Sequence, residues 1–281
     1  MRVYISVDLE GVAGIVHRDQ CRRGGGGYEE ARALMTAEAN AAAQGAFDGG
    51  AEQVLLNDSH GDMRNLILEA LDPRVEVITG ALKPFSMIQG IHGHPGGGRY
   101  DVALFVGYHG GAGTAAAILD HTYRGAVVSQ VRIDGRPFNE AGINALVAGQ
   151  VGTPVAMVSG DASTCEQCRE ILGPQLETVT VKWAIGRMAA HSLHPIEARR
   201  RISEGAARAV RRAGTLQPFA LPGAPPHRLE LDVIDTAMAD AAAIMPGAER
   251  PGPRTLAYRA GDIESLFRAL LTMIKLGATT L

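Results

Sequence analysis

The sequence predicts an α/β protein: a mostly parallel sheet covered by helices on both faces, followed by a smaller C-terminal α+β portion. Three observations carry this expectation. The first two-thirds of the chain is punctuated by short runs that are apolar throughout rather than alternating. Such runs suit strands buried on both faces, as in parallel sheets. Helical stretches separate several of them, which is the pattern of a strand–helix–strand series. After about residue 190 the texture changes to one long arginine-rich helix, a proline-rich connection and shorter elements. We therefore expect residues 1–190 to form the main α/β unit and 191–281 a smaller portion packed on it.

The expected strands, in order, are 2–7 (RVYISV), 53–57 (QVLLN), 75–79 (VEVIT), 101–107 (DVALFVG), 126–133 (AVVSQVRI), 154–159 (PVAMVS) and 178–182 (TVTVK). The clearest helix covers 28–48, with Ala and Leu at helical spacing and glycines at 49 and 50 to stop it. Further helices are expected at 62–71, 139–150 and 163–172. Beyond 190, "HPIEARRRISEGAARAVRRAG" reads as a long helix, and "LQPFALPGAPPHRLELDV" as a proline-rich lead into a strand. A short helix near 233–243, a strand "RTLAYRA" and a last helix over 261–276 complete the chain, with Asp262 as the cap of that helix. "GGGG" at 24–27 and "PGGG" at 95–98 read as loops.

The bulk numbers exclude several classes. The chain has 281 residues, 46% hydrophobic and 20% charged, with a net charge of -3, which argues against a nucleic-acid footprint. The basic stretch at 197–212 is read as a solvated helix face. No apolar run is long enough to span a bilayer, and "MRVYISVD" reads as a strand rather than a signal peptide. Three cysteines in so long a chain do not make a disulfide scaffold. The cytoplasm is the expected compartment.

In open α/β sheets, sites form at the carboxyl ends of strands. There the chain offers Asp8 and Glu10, then Asp58 and His60, then His109, with Asp120 and His121 a little further on and Glu140 at a helix start. Imidazole and carboxylate together suit zinc, or Mn, Fe or Co in a mixed nitrogen/oxygen site. So many ligands exceed the need of one zinc and suit two metals sharing a carboxylate. Asp58 and Asp120 read as turn or cap residues. Glu140 has the rival reading of a helix N-terminal carboxylate. Gly11 reads as a place where a Cβ would obstruct a close backbone approach or turn.

"SVDLEG", "NDSHGDM", "KPFSMIQG", "LFVGYHGGAGT" and "RPFNEAGINALVAG" resemble the successive motifs of the bacterial zinc-dependent D-aminopeptidases of the dipeptide-transport-operon type. The likeness runs from residue 1 to at least 190, through "VKWAIGRMAAHSLHP", and on past "IMPGAE". The resemblance implies a metal-binding catalytic domain with two zinc ions per chain. Asp8 would bridge them, Glu10 and His60 would go with one, and His109 and Glu140 with the other. It implies a catalytic His121, set one residue further from "GYH" than the family spacing. Lys83, which matches the family, would support the site from beneath or touch substrate, and Asn144, one helical turn after Glu140, would orient a ligand or line the site. It implies a homodecamer, two stacked pentameric rings around an inner chamber, that removes N-terminal D-residues from short peptides such as D-Ala-D-Ala.

Two departures stand out. The segment after "GYH" is "GGAGT" where the family has larger, basic residues, which bears on substrate choice. "IHGHPGGG" at 91–98 looks like an inserted loop, its His92 and His94 being surface residues. "CEQC" at 165–168 reads as plain helix. Rival functions are another metal-dependent amidase or phosphoesterase on this scaffold, and a non-catalytic oligomeric binding protein. Missing ligands would favour the last, and none is missing.

Overall fold

The computed structural model describes residues 1–281 and contains two sheets. The first is built from β1 (Arg2–Val7), β2 (Gln53–Asp58), β3 (Glu76–Ile78), β4 (Val102–Tyr108), β7 (Val155–Asp161), β8 (Glu177–Gly186) and β9 (Ala189–Ser192). Its order is β3-β2-β1-β4-β7-β8-β9. All neighbours are parallel except β9, which turns back on β8 as an antiparallel hairpin. The second sheet comprises β5 (Val128–Ile133), β6 (Arg136–Pro137), β10 (His227–Val233), β11 (Glu249–Gly252) and β12 (Thr255–Ala260). It is antiparallel, in the order β11-β12-β10-β5-β6.

The apolar runs explain the layering. Val3, Ile5 and Val7 of β1 face one core, with Ala31, Met35 and Ala39 of α1 (Tyr28–Asp48) and Ala198, Ile202 and Ala206 of α4 (Pro195–Arg211). Tyr4, between them on β1, faces the other core. There it joins Ile143 and Leu146 of α2 (Glu140–Gln150), Leu229 and Leu231 of β10, and Phe267 and Leu270 of α6 (Ile263–Gly277). The parallel sheet is thus covered on both faces, one by helices and one by helices plus the second sheet. α3 (Ala162–Leu172) lies against β7 and β8, and α5 (Thr236–Ala242) against α6.

The chain crosses between the sheets more than once. β5 lies before residue 190 yet pairs with β10, while α4 lies after it and packs on α1. Residues 62–71 hold no α-helix, only one 3-10 turn at Leu68–Ala70. Local polar groups win there: the buried Asp58 carboxylate accepts hydrogen bonds from the Asn65 and Leu66 amides, and Thr36 Oγ1 from the Ile67 amide. The CEQC pair lies inside α3, with both sulfurs free and buried. Asp262 caps α6 through the Ser265 amide.

The strand order of the parallel sheet creates a crevice at its carboxyl edge. From β1 the chain adds β2 and β3 on one side, then β4, β7 and β8 on the other. The order reverses between β1 and β4, and their carboxyl ends open into the crevice where α/β proteins place ligands.

Candidate metal centre

At that crevice β1 ends just before Asp8, with Glu10 two residues on, and β4 ends just before His109. β2 ends just before Ser59 and His60, and Glu140 opens α2. All five side chains are at least 92% buried. Two glycines bring the strand ends together. A Cβ on Gly11 would stand 1.9 Å from the Tyr108 carbonyl oxygen, and one on Gly107, at φ +70°, 2.3 Å from that of Asp8. The Gly11 amide donates to the Gly107 carbonyl at 2.8 Å. This is the close backbone approach expected of Gly11.

The acids and imidazoles meet in one cluster. Asp8 Oδ1 is 3.2 Å from His60 Nδ1, and Asp8 Oδ2 is 3.4 Å from His109 Nε2. Glu10 Oε2 is 2.9 Å from His60 Nδ1, and Glu140 Oε1 is 3.5 Å from His109 Nε2. Asp8 thus stands between two half-sites: Glu10 with His60 on one side, Glu140 with His109 on the other. His121 Nε2 is 3.9 Å from Glu140 Oε1, and its ring stacks on His109 at 4.1 Å and 9°.

Backbone carbonyls fix how the imidazoles present themselves. His60 Nε2 donates to the Cys21 carbonyl at 2.7 Å, His109 Nδ1 to Gly110 at 3.0 Å, and His121 Nδ1 to Leu119 at 2.9 Å. A carbonyl only accepts, so in each ring that nitrogen carries hydrogen and the other faces the acids. The tautomers are those a metal ligand requires. Two buried carboxylate oxygens, Asp8 Oδ2 and Glu10 Oε2, make no hydrogen bond at all. Glu10 Oε2 lies 2.9 Å from His60 Nδ1, the ring nitrogen left without hydrogen. Buried anionic oxygens without partners are costly, and a cation among them removes the cost. The donor set fits a mixed nitrogen/oxygen metal site.

Without a cation, protons take up that role. Burial and the Glu10 carboxylate raise Asp8 to about 7. Burial favours neutral His109, but Glu140 and Asp8 outweigh it and lift the ring to about 10. His121 goes the other way, lowered by burial and by His109.

The remaining predicted residues lie beneath the cavity rather than in it. Asn144 donates to Tyr108 Oη at 3.0 Å and accepts from Tyr123 Oη at 2.9 Å. Tyr108 Oη is 2.7 Å from Ser6 Oγ, itself 2.6 Å from Ser59 Oγ. Lys83 Nζ donates to Asn57 Oδ1 at 2.7 Å and to the Asp58 carbonyl at 2.5 Å, holding the end of β2 that leads to His60. Asp120 accepts from Arg187 and from the Gly113 amide, and Asp58 from Asn65 and Leu66, as turn residues do. His94 pairs with Glu76, and His92 lies 3.5 Å from Glu264, both away from the cluster.

Three residues at the site escaped the sequence reading. Cys21 lines the cavity beside Glu10 and His60. The Tyr123 amide donates to Glu140 Oε1 at 2.6 Å. Lys182, wholly buried, donates to the carbonyls of Glu10, Val12 and Ile15 at 2.5, 2.8 and 2.7 Å, and so ties down the loop that carries Glu10. Only its being one of three lysines, inside an apolar strand, hinted at this. Met63, Ser86 and Tyr123, at the cavity wall, all have positive φ, a strain that sites commonly hold.

A model of the D-aminopeptidase family, peptidase family M55, matches residues 1–272. The chain belongs to that family. It is therefore a peptidase, a hydrolase acting on peptide bonds. It is 36% identical over 281 residues to a D-aminopeptidase of Bacillus subtilis (strain 168), covering 100% of this chain and 99% of that one. Its fold matches the solved structure of the Zn-dependent D-aminopeptidase DppA from Bacillus subtilis, described as a self-compartmentalizing protease, with a TM-score of 0.92. That match has 35% identity over 99% of this chain and 98% of the other. The mixed α/β class expected from the strand pattern is the class of that fold.

Proposed function

We propose that this protein is a dinuclear zinc aminopeptidase that removes N-terminal D-residues from short peptides such as D-Ala-D-Ala. One observation carries the reading: two orphaned buried carboxylate oxygens, on Asp8 and Glu10, sit among imidazoles whose ring nitrogens are turned toward them. Glu10 and His60 would hold one zinc, His109 and Glu140 the other, and Asp8 both. Bound there, zinc supplies Lewis acidity toward the scissile carbonyl and makes water nucleophilic near neutral pH.

The chain's own groups do the rest. With Nδ1–H committed to Leu119, His121 presents an unprotonated Nε2 at the cavity edge. Its lowered pKa keeps it neutral, so it is suited to take a proton from the attacking water and return it to the leaving amine. The Tyr123 amide and the stacked His109 ring hold Glu140 and His121 in register.

A homodecamer of two pentameric rings is the assembly we propose, on the strength of the self-compartmentalizing relative. The β8–β9 hairpin is consistent with it: Ile185 and Met188 at its tip are 78% and 52% exposed, apolar surface that a neighbouring copy would cover. No helix is long and apolar enough to cross a membrane. The cytoplasm is the proposed location, as three free cysteines suit a reducing compartment.

The test is release of D-alanine from D-Ala-D-Ala, beside L-Ala-L-Ala and phosphate monoesters. We expect hydrolysis of the D-dipeptide, lost on chelation and restored by zinc. Hydrolysis of phosphate esters alone, or activity indifferent to chelator, would reject the reading.

A further inference from the structure

A second cavity, of about 410 Å³, opens beside the metal cavity and shares Glu10, Cys21 and His121 with it. Its outer wall is basic, with Arg18, Arg22 and Arg187. These arginines are not equivalent. Arg187 is committed to Asp120, through Nε to Oδ1 at 2.7 Å and through its terminal nitrogen to the carbonyl at 2.8 Å. Arg22 has one long contact, 3.4 Å to Asp19 Oδ1, and is three-quarters exposed. Asp19 is shared between His17 and Arg22, which leaves Arg18 with no ion-pair partner.

We propose that this cavity binds the free α-carboxylate of the peptide's C-terminal residue, and that Arg18 and Arg22 are its specificity-determining residues. The inference rests on the peptidase reading above and adds a substrate class: peptides with an unblocked C-terminus, dipeptides first. An aminopeptidase acts at the first peptide bond, so the peptide's amino end lies at the metal cavity and its carboxyl end is carried away from it, to the arginines. Guanidinium groups repel an α-ammonium and take a carboxylate, often by two parallel hydrogen bonds. The shared wall at His121 puts the scissile bond beside the one imidazole that is free to move a proton. Each added residue lengthens an extended peptide by roughly 3.5 Å. A longer substrate carries its carboxylate past the guanidinium groups, so the arginines favour the shortest peptides.

The test compares kcat/KM for D-Ala-D-Ala and its C-terminal carboxamide, in the wild type and in the doubly substituted R18A/R22A protein. The wild type should prefer the free acid on the order of tenfold, a figure tempered by the exposure of both arginines. The double variant should bring the acid-to-amide ratio near one, and raising the salt concentration should shrink the wild-type preference as well. A purely structural role for the arginines would lower both substrates together and leave the ratio alone. Equal use of acid and amide by the wild type would overturn the inference while leaving the peptidase reading intact. So would a preference that survives in R18A/R22A. Hydrolysis of neither compound would overturn both.

Discussion

Two polar regions lie buried a few ångströms apart beneath the β1/β4 crevice, and they differ in one respect. In the lower one, Ser6, Asn57, Ser59, Lys83, Tyr108 and Asn144 pass hydrogen bonds from one to the next, ending on backbone carbonyls. In the upper one, three carboxylates and three imidazoles crowd together and two carboxylate oxygens are left over. A satisfied network is a support and an unsatisfied one is a site. The two are coupled, because the lower network and Lys182 hold the strand ends that aim the upper one.

The comparison can be pressed at four points. His121→Ala removes the proton-moving group of the upper region without taking away a proposed ligand. It should cut kcat on the order of a thousandfold while zinc content by elemental analysis stays at the wild-type level. Unchanged turnover would take His121 out of the mechanism.

Lys182→Met orphans three buried carbonyls beneath Glu10. It should lower the unfolding free energy by about 3 kcal/mol and weaken zinc retention. The pH dependence carries a sign. Burial lowers Lys182 to about 8, below its unfolded value of 10.5, so the unfolded chain binds more protons between those pH values. The wild type should therefore gain stability from this group as pH rises from about 8 to 10.5, a gain absent in Lys182→Met. Denaturant midpoints across that range measure it, and parallel curves for the two proteins would refute it.

Tyr108→Phe breaks the lower network where Ser6 and Asn144 meet. The expected loss is smaller, about 1–2 kcal/mol in stability. Metal content should be retained and kcat/KM should fall only several-fold. If this variant lost its zinc, the division between support and site would be wrong. The least effect belongs to the rim: Arg18 and Arg22 act on substrate preference alone, and thermal melting of R18A/R22A should move by a degree or two at most.

Much of this architecture was legible from the sequence, for identifiable reasons. Strands buried on both faces must be apolar throughout, so β1, β2, β4 and β7 stand out. The end of a buried strand is a costly place for an acid or imidazole, so Asp8, Glu10, His60 and His109 draw attention together. What stayed hidden was non-local. That β5 pairs with β10 rather than joining the parallel sheet depends on a partner about a hundred residues away. Residues 62–71 carry helical apolar spacing, but capping by Asp58 and Thr36 decides their shape. Cys21 reaches the cavity on a loop without periodicity, and the role of Lys182 appears only when β8 meets the loop after β1. Lys83 and Asn144 lie a layer below the cavity, Lys83 in the supporting position that was one of its two expected roles.

The central claim is that the leftover oxygens of Asp8 and Glu10 are completed by two metal ions that Asp8 joins. Its most direct test is the zinc bound per chain in protein purified without chelator, for the wild type and for Asp8→Asn. The account predicts about two zinc ions per wild-type chain and a loss of more than one in Asp8→Asn, because both half-sites lose a charged ligand. No more than one zinc in the wild type, or an undiminished pair in Asp8→Asn, would contradict it.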